Sequence, residues 1–272
     1  MDPSSFGVLV TLVAALAFGT PLAAYVLQDK LIFQQRPLSE AEHRAVAQRH
    51  PEAADIFLQS EDGTRLHAWH VKGAPEAPLV LYFGGNAEEV SWMLDQLRER
   101  AAAAEEPRAA WLLVDYRGYG ASEGAPSEQA LTADALAWYD RFAGSSARVY
   151  AFGRSLGSGV AVQLAAARRL DGVVLVAPFD SLVQVGKRHY PLLPVGLLLK
   201  HRFDSLARAP GITAPLLCIA AAQDEVIPPQ HARRLFDAWA GAKRWVEVPG
   251  LHNEMDRQPE FWPSIGAFLA AR

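Results

Sequence analysis

Cysteine is almost absent from this chain. Cys218 is the only one in 272 residues, so neither an internal disulfide nor a cysteine-based metal site can be assembled. It falls in the apolar run Pro215 to Ala222 and reads as a buried, unreactive thiol. A surplus of positive charge is missing as well: 26 Lys and Arg stand against 30 Asp and Glu, a formal charge of −4. With no local basic cluster, the chain offers nucleic acid no electrostatic footprint. Internal repeats and low-complexity tracts are lacking. The composition, 50% hydrophobic and 21% charged, is that of a globular chain long enough for one large α/β domain. No phosphate loop is present, because Gly153 to Gly159 has no Lys at its end. Gly118-x-Gly120-x-x-x-Gly124 misses the spacing of a dinucleotide fingerprint, and Pro126 delays the helix that should follow. Neither an organic cofactor nor a metal is expected.

The longest hydrophobic run is amino-terminal. Phe6 to Leu27 carries no charge over 22 residues, and as a helix it would span about 33 Å, enough for a bilayer core. Residues 1–28 are read as a single-pass membrane anchor, 29–53 as a polar connector and 54–272 as the main domain. A removed export signal is a rival, with Ala15-Leu16-Ala17 as its cleavage site, although no Lys or Arg precedes the run. A helix docked on its own domain is the third reading. Lys30, Arg36 and Arg44 follow the run, which inclines the main domain toward the cytoplasm.

In the main domain, Ser60-Glu61-Asp62-Gly63-Thr64 separates two short runs and predicts a β-hairpin. Strands are then expected at Leu79 to Phe83, Ala110 to Asp115, Arg148 to Phe152, Gly172 to Ala177, Pro215 to Ala222 and Arg244 to Val248. They are apolar on both faces, as strands covered by helices on both sides must be, which predicts a mostly parallel central sheet. Helices are expected at Glu88 to Ala103, Glu128 to Phe142 with Ser127 as N-cap, Leu156 to Arg169, Pro229 to Ala240 and Glu260 to Ala270. The alternation lapses over 179–210, too long for an ordinary connection. That stretch is read as a lid-like insertion, in which Tyr190, Leu193 and Leu197 could line an acyl pocket.

Gly153-Arg154-Ser155-Leu156-Gly157 joins a strand to a helix. This G-x-S-x-G setting lifts a serine hydroxyl clear of the sheet on a sharp turn. An unassisted hydroxyl is a poor nucleophile and needs a base, which in turn needs an orienting group. His252 follows the last strand by the short loop Pro249-Gly250-Leu251, at the sheet edge where Ser155 must stand. His67 and His70, three apart in one strand, face opposite sides and make a poor metal pair; His43, His50 and His231 read as exposed. Asp224 leaves the preceding strand and completes the order serine, acid, histidine, with Asp180, Asp204 and Glu225 as other possible acids. For the oxyanion, the backbone N–H of Leu156 opens a helix. A second donor is expected from Gly84-Gly85-Asn86, with Asn86 donating and Gly85 admitting substrate.

From about Leu58 to Leu269 the chain resembles the α/β-hydrolase superfamily, and more narrowly its membrane-anchored serine hydrolases, whose relatives include depalmitoylase-like and serine-aminopeptidase-like proteins. The resemblance is carried by Gly84-Gly85-Asn86, Asp115-Tyr116-Arg117-Gly118-Tyr119-Gly120 with Ser122, Gly153 to Gly159, Asp224 with Ile227-Pro228, and Gly250-Leu251-His252-Asn253; Lys30-Leu31-Ile32-Phe33 looks like the branch. It implies hydrolysis of a carboxylic ester or thioester of a small or acylated substrate through an acyl-enzyme. Aminopeptidase-like hydrolysis and a non-catalytic binding protein are the alternatives. Two departures stand out. Gly84 replaces a histidine that often braces the oxyanion loop, and Ala221 replaces a glycine three residues before the acid.

Overall fold

The structure is a computed structural model that describes residues 19–103 and 109–271. It opens with α1 (Thr20–Ile32) and α2 (Glu40–Arg49), then β1 (Ala53–Gln59), β2 (Arg65–Val71), β3 (Leu79–Phe83), α3 (Trp92–Ala103), β4 (Ala110–Val114) and α4 (Glu128–Phe142). There follow β5 (Val149–Arg154), α5 (Leu156–Ala167), β6 (Gly172–Val176), and the short helices α6 (Leu182–His189), α7 (Val195–Leu198) and α8 (Ser205–Arg208). The chain closes with β7 (Leu216–Ala221), α9 (Pro229–Ala238), β8 (Lys243–Val248) and α10 (Phe261–Ala270).

Among the described residues eight strands form one sheet in the order β1-β2-β4-β3-β5-β6-β7-β8. The pairs β1–β2 and β2–β4 are antiparallel and every other pair is parallel. Every residue of β3, β6 and β7 is buried, whereas edge strand β1 alternates. That difference separates strands covered on both faces from one covered on a single face. In β3, Leu79, Leu81 and Phe83 face one core with α4, α5 and α9; Val80 and Tyr82 face the other with α2, α3 and α10. Ser127 caps α4 through its side chain, which accepts from Ala130 N. The expected hairpin is the β1–β2 turn, with Gly63 at φ 84°.

Two boundaries differ from the sequence reading. The helix expected from Glu88 starts at Trp92, because the Glu88 carboxylate turns back to accept from the Gly85 amide and holds residues 85–91 as a loop. At the amino end, α1 runs through residue 28 without a break, so anchor and connector share one helix. Gln28 pins that helix to the 179–210 segment: its amide donates to the Leu198 carbonyl and its oxygen accepts from Lys200 N. Residues 1–18 of the anchor reading lie outside the described residues. Among those described, no helix is long and apolar enough to cross a membrane.

Candidate active site

Ser155 stands where β5 ends and α5 begins, with φ 51° and ψ −116°. A non-glycine residue so placed costs about 1–3 kcal/mol. The turn is held by Ser155 N donating to Val176 O and Ser158 N donating to Ser155 O, both 2.9 Å. The flanking glycines are steric necessities: a Cβ at Gly153 would stand 2.3 Å from Gly157 O, and one at Gly157 2.0 Å from Phe83 O. Crowding of α5 against β5 and β3 thus explains both glycines of the motif.

The structure brings Ser155, His252 and Asp224 together. His252 Nε2 is 3.0 Å from Ser155 Oγ, and His252 Nδ1 is 2.7 Å from Asp224 Oδ2. Asp224 Oδ1 accepts from the amides of Val226 and Ile227 at 2.9 and 2.7 Å. The acid and histidine loops are also tied directly, since Gly250 N donates to Gln223 Oε1 and Gln223 N to Gly250 O. Ala221 fits without disturbance: it ends β7 in register with Val248, and Asp224 N closes the turn onto its carbonyl at 3.3 Å. Asp180, the rival acid, is engaged elsewhere, 2.8 Å from His231 Nδ1 and 2.7 Å from Arg234 Nε. Burial alone would raise its pKa, but those partners and the Ser181 amide bring it below the ordinary value. His50 and His231, read as exposed, are buried.

Across from Ser155 lies the 84–88 loop. No acceptor faces the backbone N–H of Asn86 or Leu156 among the described residues. The Asn86 side chain is held by Gln34 N and the Tyr119 hydroxyl, at 2.9 and 3.1 Å. The histidine missing from this loop is replaced by Glu88, which sequence reasoning overlooked. Its buried carboxylate accepts from Gly85 N (2.6 Å), Tyr82 Oη (2.5 Å), Trp92 Nε1 (2.8 Å) and Arg154 Nη1 (2.8 Å). Arg154 Nη2 reaches on to Asn253 Oδ1, so the residue before the serine links the 84–88 loop to the loop that carries His252. Burial lowers the Arg154 pKa, but Glu88 more than restores it. Burial, with the Glu88 charge beside them, pushes Tyr82 and Tyr116 well up, which keeps both as neutral donors. Tyr116 Oη donates to Gly84 O. The signal for Glu88 was available, since a charged residue between a strand and a helix of the core needs a partner.

A cavity of about 350 Å³ opens beside Ser155. Its walls come from α1 (Ala24, Leu31, Ile32), from α6 (Leu182, Val185) and from the loop after β7 (Ile227). Asn86, Leu156, Tyr190 and Leu193 also line it. Leu197 does not: it is 88% exposed, and its neighbour Leu198 turns inward instead. Gly85 does not line the cavity: a Cβ there would stand 3.0 Å from Glu88 Oε2 and 3.6 Å from Ser155 Cβ, and its amide is taken by Glu88. Buried Cys218 takes no part, and burial pushes its thiol pKa up.

No protein-family profile matches the chain. Individual proteins do. An uncharacterized protein of Mycobacterium tuberculosis is 39% identical over 256 residues, covering 90% of this chain and 88% of its own. The lysophosphatidylserine lipase ABHD12 of Danio rerio is 28% identical over 235 residues, 70% of this chain and 59% of the lipase. An esterase of Pyrococcus furiosus superposes with a TM-score of 0.63 at 19% identity, over 82% of this chain and 94% of the esterase; that likeness concerns the fold. The alpha/beta hydrolase domain-containing protein WAV2 of Arabidopsis thaliana is 32% identical over 224 residues, 73% of this chain and 71% of its own. With relatedness of that extent added to a serine on a strained strand–helix turn in an eight-stranded sheet, the chain belongs to the α/β-hydrolase superfamily.

Proposed function

We propose that the protein is a serine hydrolase that cleaves a carboxylic ester or thioester of an acylated, lipid-like substrate through an acyl-enzyme. The observation that carries this reading is the 3.0 Å approach of His252 Nε2 to Ser155 Oγ at the wall of an apolar cavity. Ser155 Oγ adds to the carbonyl carbon while its proton passes to His252 Nε2, and Asp224 steadies the imidazolium through Nδ1–H. The carbonyl electron pair moves onto oxygen, where the N–H groups of Leu156 and Asn86 receive it. Each such donor is typically worth about 2.7–4 kcal/mol of barrier. The proton returns to the leaving alcohol or thiol, and a water then repeats the sequence and frees the acid.

The acyl chain lies against Tyr190, Leu193 and the rest of the cavity wall, with the 179–210 segment as its lid. Among the described residues the cavity lining contains no Asp or Glu, whereas an aminopeptidase must bind an ammonium group, so esters are favoured over aminoacyl amides. The lipase activity named for the Danio rerio relative points the same way. The reading extends to location: residues 1–28 tether the domain to a membrane, supported by the uncharged run and by exposed Leu22, Val26, Leu27 and Leu31 on α1.

A panel of acyl esters, acyl thioesters and aminoacyl amides of graded chain length tests the substrate class, and turnover confined to the amides would reject the ester reading. Ser155→Ala is expected to lower kcat by about 10⁴–10⁶-fold with an unchanged circular dichroism spectrum. Undiminished turnover in that variant, or failure of a fluorophosphonate to label Ser155, sinks the mechanism.

A further inference from the structure

Away from the serine, the open edge of the sheet gathers a second set of ionisable side chains. Asp55 on β1 and His67 on β2 lie on one face, because His67 pairs with Phe57 and its diagonal neighbour is Asp55. His43 comes down on them from α2, whose amino end is fixed by the Ser39–Glu42 capping box. His43 Nε2 is 3.3 Å from Asp55 Oδ2 and His67 Nε2 is 3.0 Å from Asp55 Oδ1. The donor atoms of the three side chains all lie within 4.8 Å of one another. The rings of His43 and His67 are 5.1 Å apart, and Trp69 and Phe57 pack around them.

Both inward nitrogens lack an aligned hydrogen bond despite these short distances. Nε2 of His43 and Nε2 of His67 are buried atoms without a hydrogen-bond partner, so the approach to Asp55 brings charge near but out of line for an N–H···O bond. His67 is fully buried, and its other nitrogen is committed: Nδ1 lies 2.6 Å from Asp115 Oδ2, a carboxylate that also accepts from Ala121 N. Donation from Nδ1 leaves a lone pair on Nε2, facing a carboxylate oxygen. Two electron-rich atoms at that distance repel unless a cation lies between them. Zinc bonded at about 2.0–2.1 Å in tetrahedral geometry sets neighbouring donor atoms roughly 3.3 Å apart, close to the 3.3 and 3.0 Å at which His43 and His67 each approach one oxygen of Asp55.

We propose that His43, Asp55 and His67 form a binding site for a divalent cation of the zinc class, with Asp115 as the outer carboxylate that fixes the His67 tautomer. Two imidazoles and one carboxylate suit zinc and not the all-oxygen shells of calcium or magnesium. The aspartate–histidine–metal arrangement is the usual way a ligating ring is oriented. The partly exposed Asp55 side chain leaves solvent access for a water as fourth ligand. Bound metal would staple α2 to the β1–β2 hairpin. It would also reach, through Asp115, the loop whose Tyr116 and Tyr119 hold the oxyanion segment. The proposal does not rest on the hydrolase reading.

The test uses the full chain, free of any histidine tag and stripped with a chelator, with Zn²⁺ alone as the probe. One Zn²⁺ per chain is expected by elemental analysis after gel filtration, with a rise in melting temperature of roughly 5–10 °C at a hundredfold excess over Kd. His43→Ala and Asp55→Asn should each weaken Zn²⁺ binding by more than about 10-fold, the lower end for loss of an outer-shell partner. A circular dichroism spectrum and a metal-free melting temperature matching the parent's establish that both variants are folded. Absence of Zn²⁺ binding overturns the proposal. Binding undiminished in both variants overturns it by placing the metal elsewhere.

Discussion

At His252 and at His67 a buried aspartate lies against Nδ1, 2.7 Å away for Asp224 and 2.6 Å for Asp115, which leaves Nε2 as the outward atom in both. What that atom meets differs. His252 looks at a hydroxyl on a strained turn, whereas His67 looks at Asp55 and a second imidazole. An Asp–His pair thus carries no chemistry of its own. It points a nitrogen, and in the two roles proposed above the third partner decides whether a proton or a metal is handled. A third pair, His231 with Asp180, has Arg234 Nη2 2.9 Å from the same Nδ1 and serves as an ion cluster.

Asp224→Asn, which keeps the shape and reverses the tautomer preference, separates the two pairs most sharply. A drop in kcat of about 10⁴-fold is expected, with a thermal midpoint close to the parent's; a drop below tenfold would mean that Asp224 does not orient His252. Asp115→Asn should act on the fold instead. Leaving the buried His67 ring without its charged partner costs about 2–3 kcal/mol, read from urea unfolding, and an unchanged midpoint would show that Asp115 does not hold His67. Glu88→Gln sits between the two. It should lower kcat by roughly 10–100-fold, since it slackens the loop proposed above to present one oxyanion donor, while KM changes little; a KM-only effect would assign Glu88 to the pocket.

The third pair gives the smallest and most pH-dependent effect. The folded pKa of Asp180 lies below its ordinary value, so its contribution to stability is complete above the unfolded value near 4 and is lost as pH falls through the folded value. Asp180→Asn is expected to cost about 1–2 kcal/mol near pH 7 and less at a pH well below about 4. Equal losses at both would show that the ion cluster contributes nothing.

Much of this was legible in the chain. Strands β3 to β7 are apolar on both faces, and each was found to within two residues, because burial on two sides leaves no ambiguity of period. The serine turn was legible because two glycines are forced by backbone contacts at 2.3 and 2.0 Å. What escaped were pairings made across the fold. Glu88 sits in a stretch with good helix composition, and only its four donors explain why the helix waits for Trp92. His43 lies on α2, a helix in a segment read as connector, so its approach to His67 from 24 residues away has no sequence period. Leu197 and Leu198 are adjacent in an apolar triplet, and which of them faces the cavity is fixed by the Gln28 contact to Leu198 O.

That contact gives α1 a consequence for anyone handling the protein. Ala24, Gln28, Leu31 and Ile32 form one side of the cavity, so trimming the amino-terminal greasy segment back past Phe33 to improve yield in solution would carve away part of the chamber beside Ser155. A shortened protein of that kind could keep an intact serine–histidine contact and still report the wrong selectivity.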